Sequence, residues 1–220
     1  MDSLDLPQLL ALSAAIGWAS GLRLYLVVLL TGLAGYLGWV PLPGGLQLLA
    51  HPVVIAASGF MVFIEFFADK IPGLDSLWDM VHTVIRIPAG AALAASVFGA
   101  DHAIMAIVAA LLGGSFAATA HAAKATTRAA INTSPEPFSN VGASLVEDSV
   151  VPAGLWLAVA HPLVFLLLFV VLLALSVWLI RKSWRFLRAL IGRMARIFSG
   201  RPDPGVRPAF HLNKREDGPV

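Results

Sequence analysis

The sequence predicts an all-α membrane protein: a polytopic helical bundle of about five to six membrane-embedded segments, with helix breaks or re-entrant pieces and a possible internal repeat. Three observations predict it. The chain is 58% hydrophobic and 13% charged, with a mean hydropathy of +0.82, whereas an average soluble chain is about 25% charged. Its apolar runs reach the length of about 20 residues that a helix needs to cross a bilayer. Prolines and a Pro-Gly pair interrupt those runs, as they do where helices break.

The N-terminal MDSLDLPQ is acidic and carries no basic region, so the first span is expected to serve as its own insertion signal. Residues 9–37 are nearly all apolar but contain Arg23. The run is longer than one span needs, which predicts a tilted helix or two pieces broken near Gly17–Gly21, glycines that also suit close helix packing. A charge in the middle of such a run is costly, and Arg23 is expected to pair with an acid elsewhere. WVPLPGG, from Trp39, reads as a turn with an interfacial tryptophan. Pro52 then opens a second span, as proline does in a first helical turn.

Residues 65–86 organise the rest. They carry Glu65, Asp69, Lys70, Asp75, Asp79, His82 and Arg86 between two apolar runs. Glu65 and Asp69 are four apart, on one helical face. Pro72-Gly73 predicts a break. Asp75, Asp79, His82 and Arg86 follow at steps of four, three and four, one stripe of a second helix. The apolar run after it, 87–97, is short for a span and has to borrow the striped residues to cross, which predicts a buried stripe. An ionisable residue inside a membrane marks a functional site unless it lies in a solvated interfacial helix.

Residues 103–120 form another span, rich in Ala and Gly, ending in a second stripe of His121, Lys124 and Arg128. The polar stretch 132–149 reads as a candidate re-entrant segment and ends in Ser144, Glu147 and Asp148, which suit a cation, a proton or pairing with Lys124 and Arg128. Residues 150–180 are the last apolar run, with Pro152 and Pro162 able to bend it. Ala50-His51-Pro52 and Ala160-His161-Pro162 are the matches behind the possible repeat, a device common in transporters.

Charge is unevenly placed. Up to residue 180 there are five basic against ten acidic residues, a net of −5; from Arg181 on there are ten against three, +7. The division expected is a membrane domain over 1–180, a basic amphipathic interfacial helix over 181–201 and a disordered tail over 202–220. Basic residues after the last span place the tail in the cytoplasm and against membrane lipids. Nucleic acid is not an expected partner, because the basic run abuts a span. There is no cysteine, no Walker loop, no dinucleotide glycine fingerprint and no His-Glu-x-x-His helix. No cofactor is expected. His82 and His121 with the acids could assemble a metal site, but their spacing does not demand one and favours ion pairing.

At these residues the chain resembles a known family. E-F-x-A-D-K-I-P-G-x-D-S-x-W-D-x-V-H-T-x-I-R-x-P-A-G from Glu65, H-A-A-K-A-T-T-R from His121 and S-L-V-E-D from Ser144 are similar to the bacterial membrane family catalogued as domain of unknown function four-one-two-six. The resemblance covers residues 9–180 and leaves out the basic tail. It implies an integral protein of the bacterial cytoplasmic membrane and brings no mechanism with it.

The charged stripes predict a transporter or channel for a small ion or polar solute, working as a homo-oligomer because the chain is small for a pore. Glu65, Asp69, Asp75, Asp79, His82 and Arg86 are expected to converge with His121, Lys124, Arg128, Glu147 and Asp148 in one polar cavity, where His82 or a carboxylate changes protonation. A flippase or binder of a phosphate-bearing lipid, met by Arg23, Lys70, Arg86, Lys124 and Arg128, is the alternative. An intramembrane enzyme and a purely structural role stay open.

Overall fold

The computed structural model describes residues 4–71, 73–133 and 138–199; the breaks expected at Pro72 and Pro135, and the tail over 202–220, lie outside the described residues. The described residues form helices α1 (Leu6–Tyr36), α2 (Pro52–Ala68), α3 (Leu74–Ser96), α4 (Ala103–Ile131), α5 (Phe138–Ala160) and α6 (Pro162–Ser199), with short 3₁₀ turns at Gly44–Ala50 and Ala100–His102. No strand occurs among them. The protein is a polytopic helical bundle. α1, α4, α5 and α6 are each long and apolar enough to cross a membrane, and the Gly44–Ala50 turn with α2, bent by 69°, makes a fifth candidate.

α1 starts at a capping box in which the Asp5 carboxylate accepts from Gln8 N and the Gln8 side chain accepts from Asp5 N. It is not one straight span. Arg23 has φ −142° and ψ 73°, outside the helical region, and the chain folds back there. Ser13, before the break, donates to Ala94 O near the end of α3; Gly45, just beyond α1, lies against Ser96 O at that same end. Leu12 and Leu30 line one cavity, although 18 residues of straight helix would hold them about 27 Å apart. The limbs 6–22 and 24–36 therefore lie side by side with Arg23 at their elbow. Of the two forms the sequence allows, a tilted helix or a break near Gly17–Gly21, the helix takes a break, a few residues later than expected. The glycines serve the close packing expected of them and let α1 touch α4: a Cβ at Gly21 would sit 2.2 Å from Ala117 O, and one at Gly17 2.7 Å from Gly113 Cα. This is small-residue packing.

α3 and α4 run antiparallel beside the first limb, and Gly90, Gly113 and Gly17 meet in that seam. α2 runs antiparallel to the second limb, with Gly59 near Leu29 and Ile55 near Gly32. Gly73, at φ 88°, makes the turn between α2 and α3 that a side chain would strain. α6 covers α4 through Phe116 on Phe169 at 4.9 Å between ring centres, and meets α1 where Trp18 Nε1 donates to Ser176.

The polar stretch 132–149, a candidate re-entrant segment, is helical from Phe138 on, with Asn140, Ser144 and Glu147 on one helical face. The run 150–180 divides at His161, where Pro162, one of the two prolines expected to bend it, opens α6. No helix end falls at residue 181: α6 continues to Ser199, about 57 Å of helix against about 30 Å of hydrocarbon. Ala50-His51-Pro52 likewise opens α2, so the two matched tripeptides mark helix starts, though α2 has 17 residues and α6 has 38.

Candidate functional site

Every helix from α1 to α5 contributes ionised side chains to one buried network. Measured along α3 from its C-terminal end, it runs from about 15 Å at Arg86 to about 31 Å at Asp75, from the middle of the bundle towards its opposite end. Arg86, Asp69, Asp75, Glu65, Arg128, Asp79 and Arg23 are each no more than 2% exposed, so none of these charges faces lipid.

The elbow of α1 delivers Arg23 into the middle. Its NH1 lies 2.8 Å from Asp69 Oδ2, its NH2 2.9 Å from Asp148 Oδ1, and it also donates to Ser144 Oγ. The break frees the Leu22 carbonyl, which accepts from Lys124 Nζ at 3.2 Å. Lys124 holds three acids as well: Asp69 at 2.8 Å, Glu147 at 3.2 Å and Asp79 at 3.5 Å. A single ammonium thus ties α4 to α1, α2, α3 and α5.

Arg86 pairs with Glu65 of α2 and, at 2.6 Å, with Asp79 two turns away on the same face of α3. Arg128 donates to Asp69 O and Asn140 O and lies 3.2 Å from Glu147. Asp75 does something more local. Its Oδ1 accepts from Gly73 N, Ser76 N and Asn132 Nδ2, so it holds backbone N–H groups at the start of α3, whose N-cap is Gly73, with Arg128 only at 4.0 Å. Lys70 sits at the rim, donating to Ser144 Oγ and lying over the Phe66 ring.

The two histidines occupy different places. His121 Nε2 is 2.7 Å from Thr83 Oγ1, and its Nδ1 faces Arg86 NH1 at 3.4 Å. His82 stacks on Trp78, with Nδ1 2.8 Å from Trp78 O and Nε2 3.1 Å from Tyr25 OH.

All fourteen residues singled out in the sequence therefore lie in or against this network. They meet one another, and what they form is a packed set of ion pairs. Two cavities lie elsewhere and are apolar: one of 560 Å³ between the limbs of α1 and α5, one of 70 Å³ between α1 and α4. Around the network the second oxygens of Glu65, Asp69 and Asp79 are buried without a hydrogen-bond partner. No grouping of three or more His, Cys, Asp or Glu suited to a metal ion occurs among the described residues.

The model of a family described as Domain of unknown function (DUF4126) matches residues 10–182. The chain belongs to this family. The match spans the whole network, from the elbow of α1 to the first residues past Ile180, and stops where the basic end of α6 begins. No curated protein and no solved structure matches the chain.

In this DUF4126 chain the sequence missed Tyr25, Thr83, Asn132 and Asn140. Asn140 was findable, since it extends the Ser144–Glu147 stripe by one turn. Asn132 bridges Asp75 and Asn140 across a chain reversal, and no spacing rule reaches that far. Tyr25 and Thr83 look like ordinary residues of apolar helices.

Proposed function

We propose that this protein is a transporter or channel that moves a small ion or polar solute across the bacterial cytoplasmic membrane through the charged network. The observation that carries the reading is the elbow at Arg23: a helix broken inside the bundle, its free carbonyl capped by Lys124, its apex charge held by acids of α2 and α5. Discontinuous helices whose ends meet charged groups near the midplane are how many transporters build ion and solute sites. Glu147 and Asp148 are 12% and 25% exposed, so the network has a wetter end from which an ion could enter.

Orientation follows from charge. The connections at the Ser96 end of the bundle, 37–51, 97–102 and 161, contain no Lys or Arg. The opposite end holds Lys70, and Arg181 and Lys182 reach it about 28 Å along α6. The positive-inside rule then puts the network's outer end and the end of α6 in the cytoplasm. Exposed Phe60, Phe63, Val81 and Val84 on α2 and α3 face lipid or, in a homo-oligomer, a second copy. The lipid-flippase reading is weaker, because Arg23, Arg86, Lys124 and Arg128 are already committed to carboxylates. An enzyme reading is weaker too: the aliphatic hydroxyl placed here beside an imidazole, Thr83 Oγ1 at 2.7 Å from His121 Nε2, is already bonded to Asp79 O.

The test is flux through purified protein in liposomes, with Asp79→Asn and Glu147→Gln beside the wild type. Wild-type flux of at least one small ion, absent from both variants while they still insert and elute as the wild type does, is the expected result. Unaltered flux in both variants, or none above empty liposomes across protons, alkali cations and halides, would overturn it.

A further inference from the structure

Five cations, Arg23, Lys70, Arg86, Lys124 and Arg128, face six carboxylates, Glu65, Asp69, Asp75, Asp79, Glu147 and Asp148. With both histidines neutral the network carries one negative charge too many. We infer that the ion it handles is a proton and that His82 Nε2 is where the proton binds. This rests on the transport reading and names its substrate.

The hydrogen bonds separate the candidates. Each carboxylate has a cation within 4.0 Å, so protonating one weakens an ion pair. His121 is locked. Arg86 NH1 can only donate, so His121 Nδ1 must offer it a lone pair. The Thr83 hydroxyl donates to Asp79 O at 2.9 Å, so His121 Nε2 carries the hydrogen and donates to Thr83 Oγ1. A second proton on His121 would put an N–H against a guanidinium.

His82 is free of that conflict. Trp78 O can only accept, so Nδ1 carries a hydrogen in either state. Nε2 faces the Tyr25 hydroxyl, which can donate or accept. In the neutral ring Tyr25 donates to Nε2. When a proton from solvent bonds to the Nε2 lone pair, the new N–H donates to the Tyr25 oxygen and the hydroxyl hydrogen turns away. The O–H bond of the hydronium that delivers the proton breaks and leaves water; no bond within the protein breaks, no heavy atom of it needs to move and no ion pair is lost. Release to solvent reverses the step. Tyr25 is half-buried, which places the exchange at the edge of the network. The groups facing this part of α3 are Asp79 and Arg86 on α3 itself, Arg23 and Tyr25 on α1, Glu65 and Asp69 on α2, His121 and Lys124 on α4 and Glu147 on α5. One added positive charge brings this set to neutrality.

The experiment is nitrogen NMR of full-length protein in bilayers, labelled at histidine. His82→Gln and His121→Gln assign the two rings. Over the pH range in which the protein stays folded, acidification should take the His82 ring from the Nδ1–H neutral form to the imidazolium, while His121 keeps its Nε2–H neutral form throughout. In liposomes the same His82→Gln variant should lose flux driven by a pH gradient while keeping the wild-type thermal midpoint. A His82 ring that stays neutral over the range, a His121 ring that charges first, or undiminished proton-driven flux in His82→Gln each overturns the inference. A His82 ring that titrates as expected, in a wild-type protein that passes no ion at all, would instead overturn the transport reading and leave the proton site standing.

Discussion

Arg86→Met tests whether ion pairing holds the network together. Methionine keeps most of the buried stem and removes the guanidinium. Arg86 has no exposed surface, and its two partners, Glu65 and Asp79, are buried to 1% and 2%. Asp79 keeps Lys124 at 3.5 Å, whereas Glu65 has no second cation within ion-pair distance among the described residues. The cost thus falls mainly on Glu65. Removing one partner of a buried pair destabilises by about 3–5 kcal/mol, a large share of the roughly 5–15 kcal/mol that holds a typical fold. The double variant Glu65→Gln/Arg86→Met leaves no stranded charge at that position and should recover about 1–3 kcal/mol relative to the sum of the single changes. Reversible unfolding in mixed detergent micelles, followed by tryptophan fluorescence, measures all three. Strict additivity, or an Arg86→Met loss below about 0.5 kcal/mol, would mean that Glu65 and Arg86 are not coupled and that the desolvation reasoning fails.

Three further outcomes follow from the geometry. Gly21→Val drives a side chain into the Ala117 carbonyl, so the elbow has to shift off α4; a loss of about 1–3 kcal/mol is expected from overpacking, and a wild-type melting profile would refute that seam. The chain has no cysteine, so single cysteines report topology without background: Leu6→Cys and Trp39→Cys should react with impermeant reagent from one membrane face and Arg188→Cys from the other, whereas labelling of Leu6 and Trp39 from opposite faces would make α1 a simple span. Thr83→Val removes the hydroxyl that accepts from His121 and should cost about 1–3 kcal/mol through the stranded donor, read in the same micelle assay; no loss would count against the assigned ring tautomer.

Helical spacing made much of this site legible. Asp75, Asp79, His82 and Arg86 are all buried on one face of α3, as steps of four, three and four require, and His121, Lys124 and Arg128 are buried on one face of α4. Both readings needed only a period and the cost of a lone charge in hydrocarbon. What stayed hidden depends on contacts distant in sequence. The place of the elbow depends on the acids of α2 and α5 that hold Arg23, whereas the pairing of that arginine with an acid and the packing use of the nearby glycines are legible from charge and size. Likewise Asp75 reads as one more member of its stripe, and only the turn at Gly73 brings the backbone N–H groups that its carboxylate binds. The expected open cavity became a packed network for the same reason: spacing tells which face a charge takes, not whether an opposite charge fills the space in front of it.

The elbow also constrains how the protein is made. Arg23 leaves the ribosome long before its partners. Ser144, which its guanidinium touches, follows 121 residues later, a delay of about 6–24 s at the usual synthesis rates of about 5–20 residues per second. Asp69 arrives sooner, but in the finished bundle it is shared with Lys124. A lone arginine at a helix centre costs about 2.5–3.5 kcal/mol even on the lenient insertion scale. The expectation is that the first helix can enter the membrane early, but that its Arg23 elbow settles only when α5 brings Glu147 and Asp148 into reach.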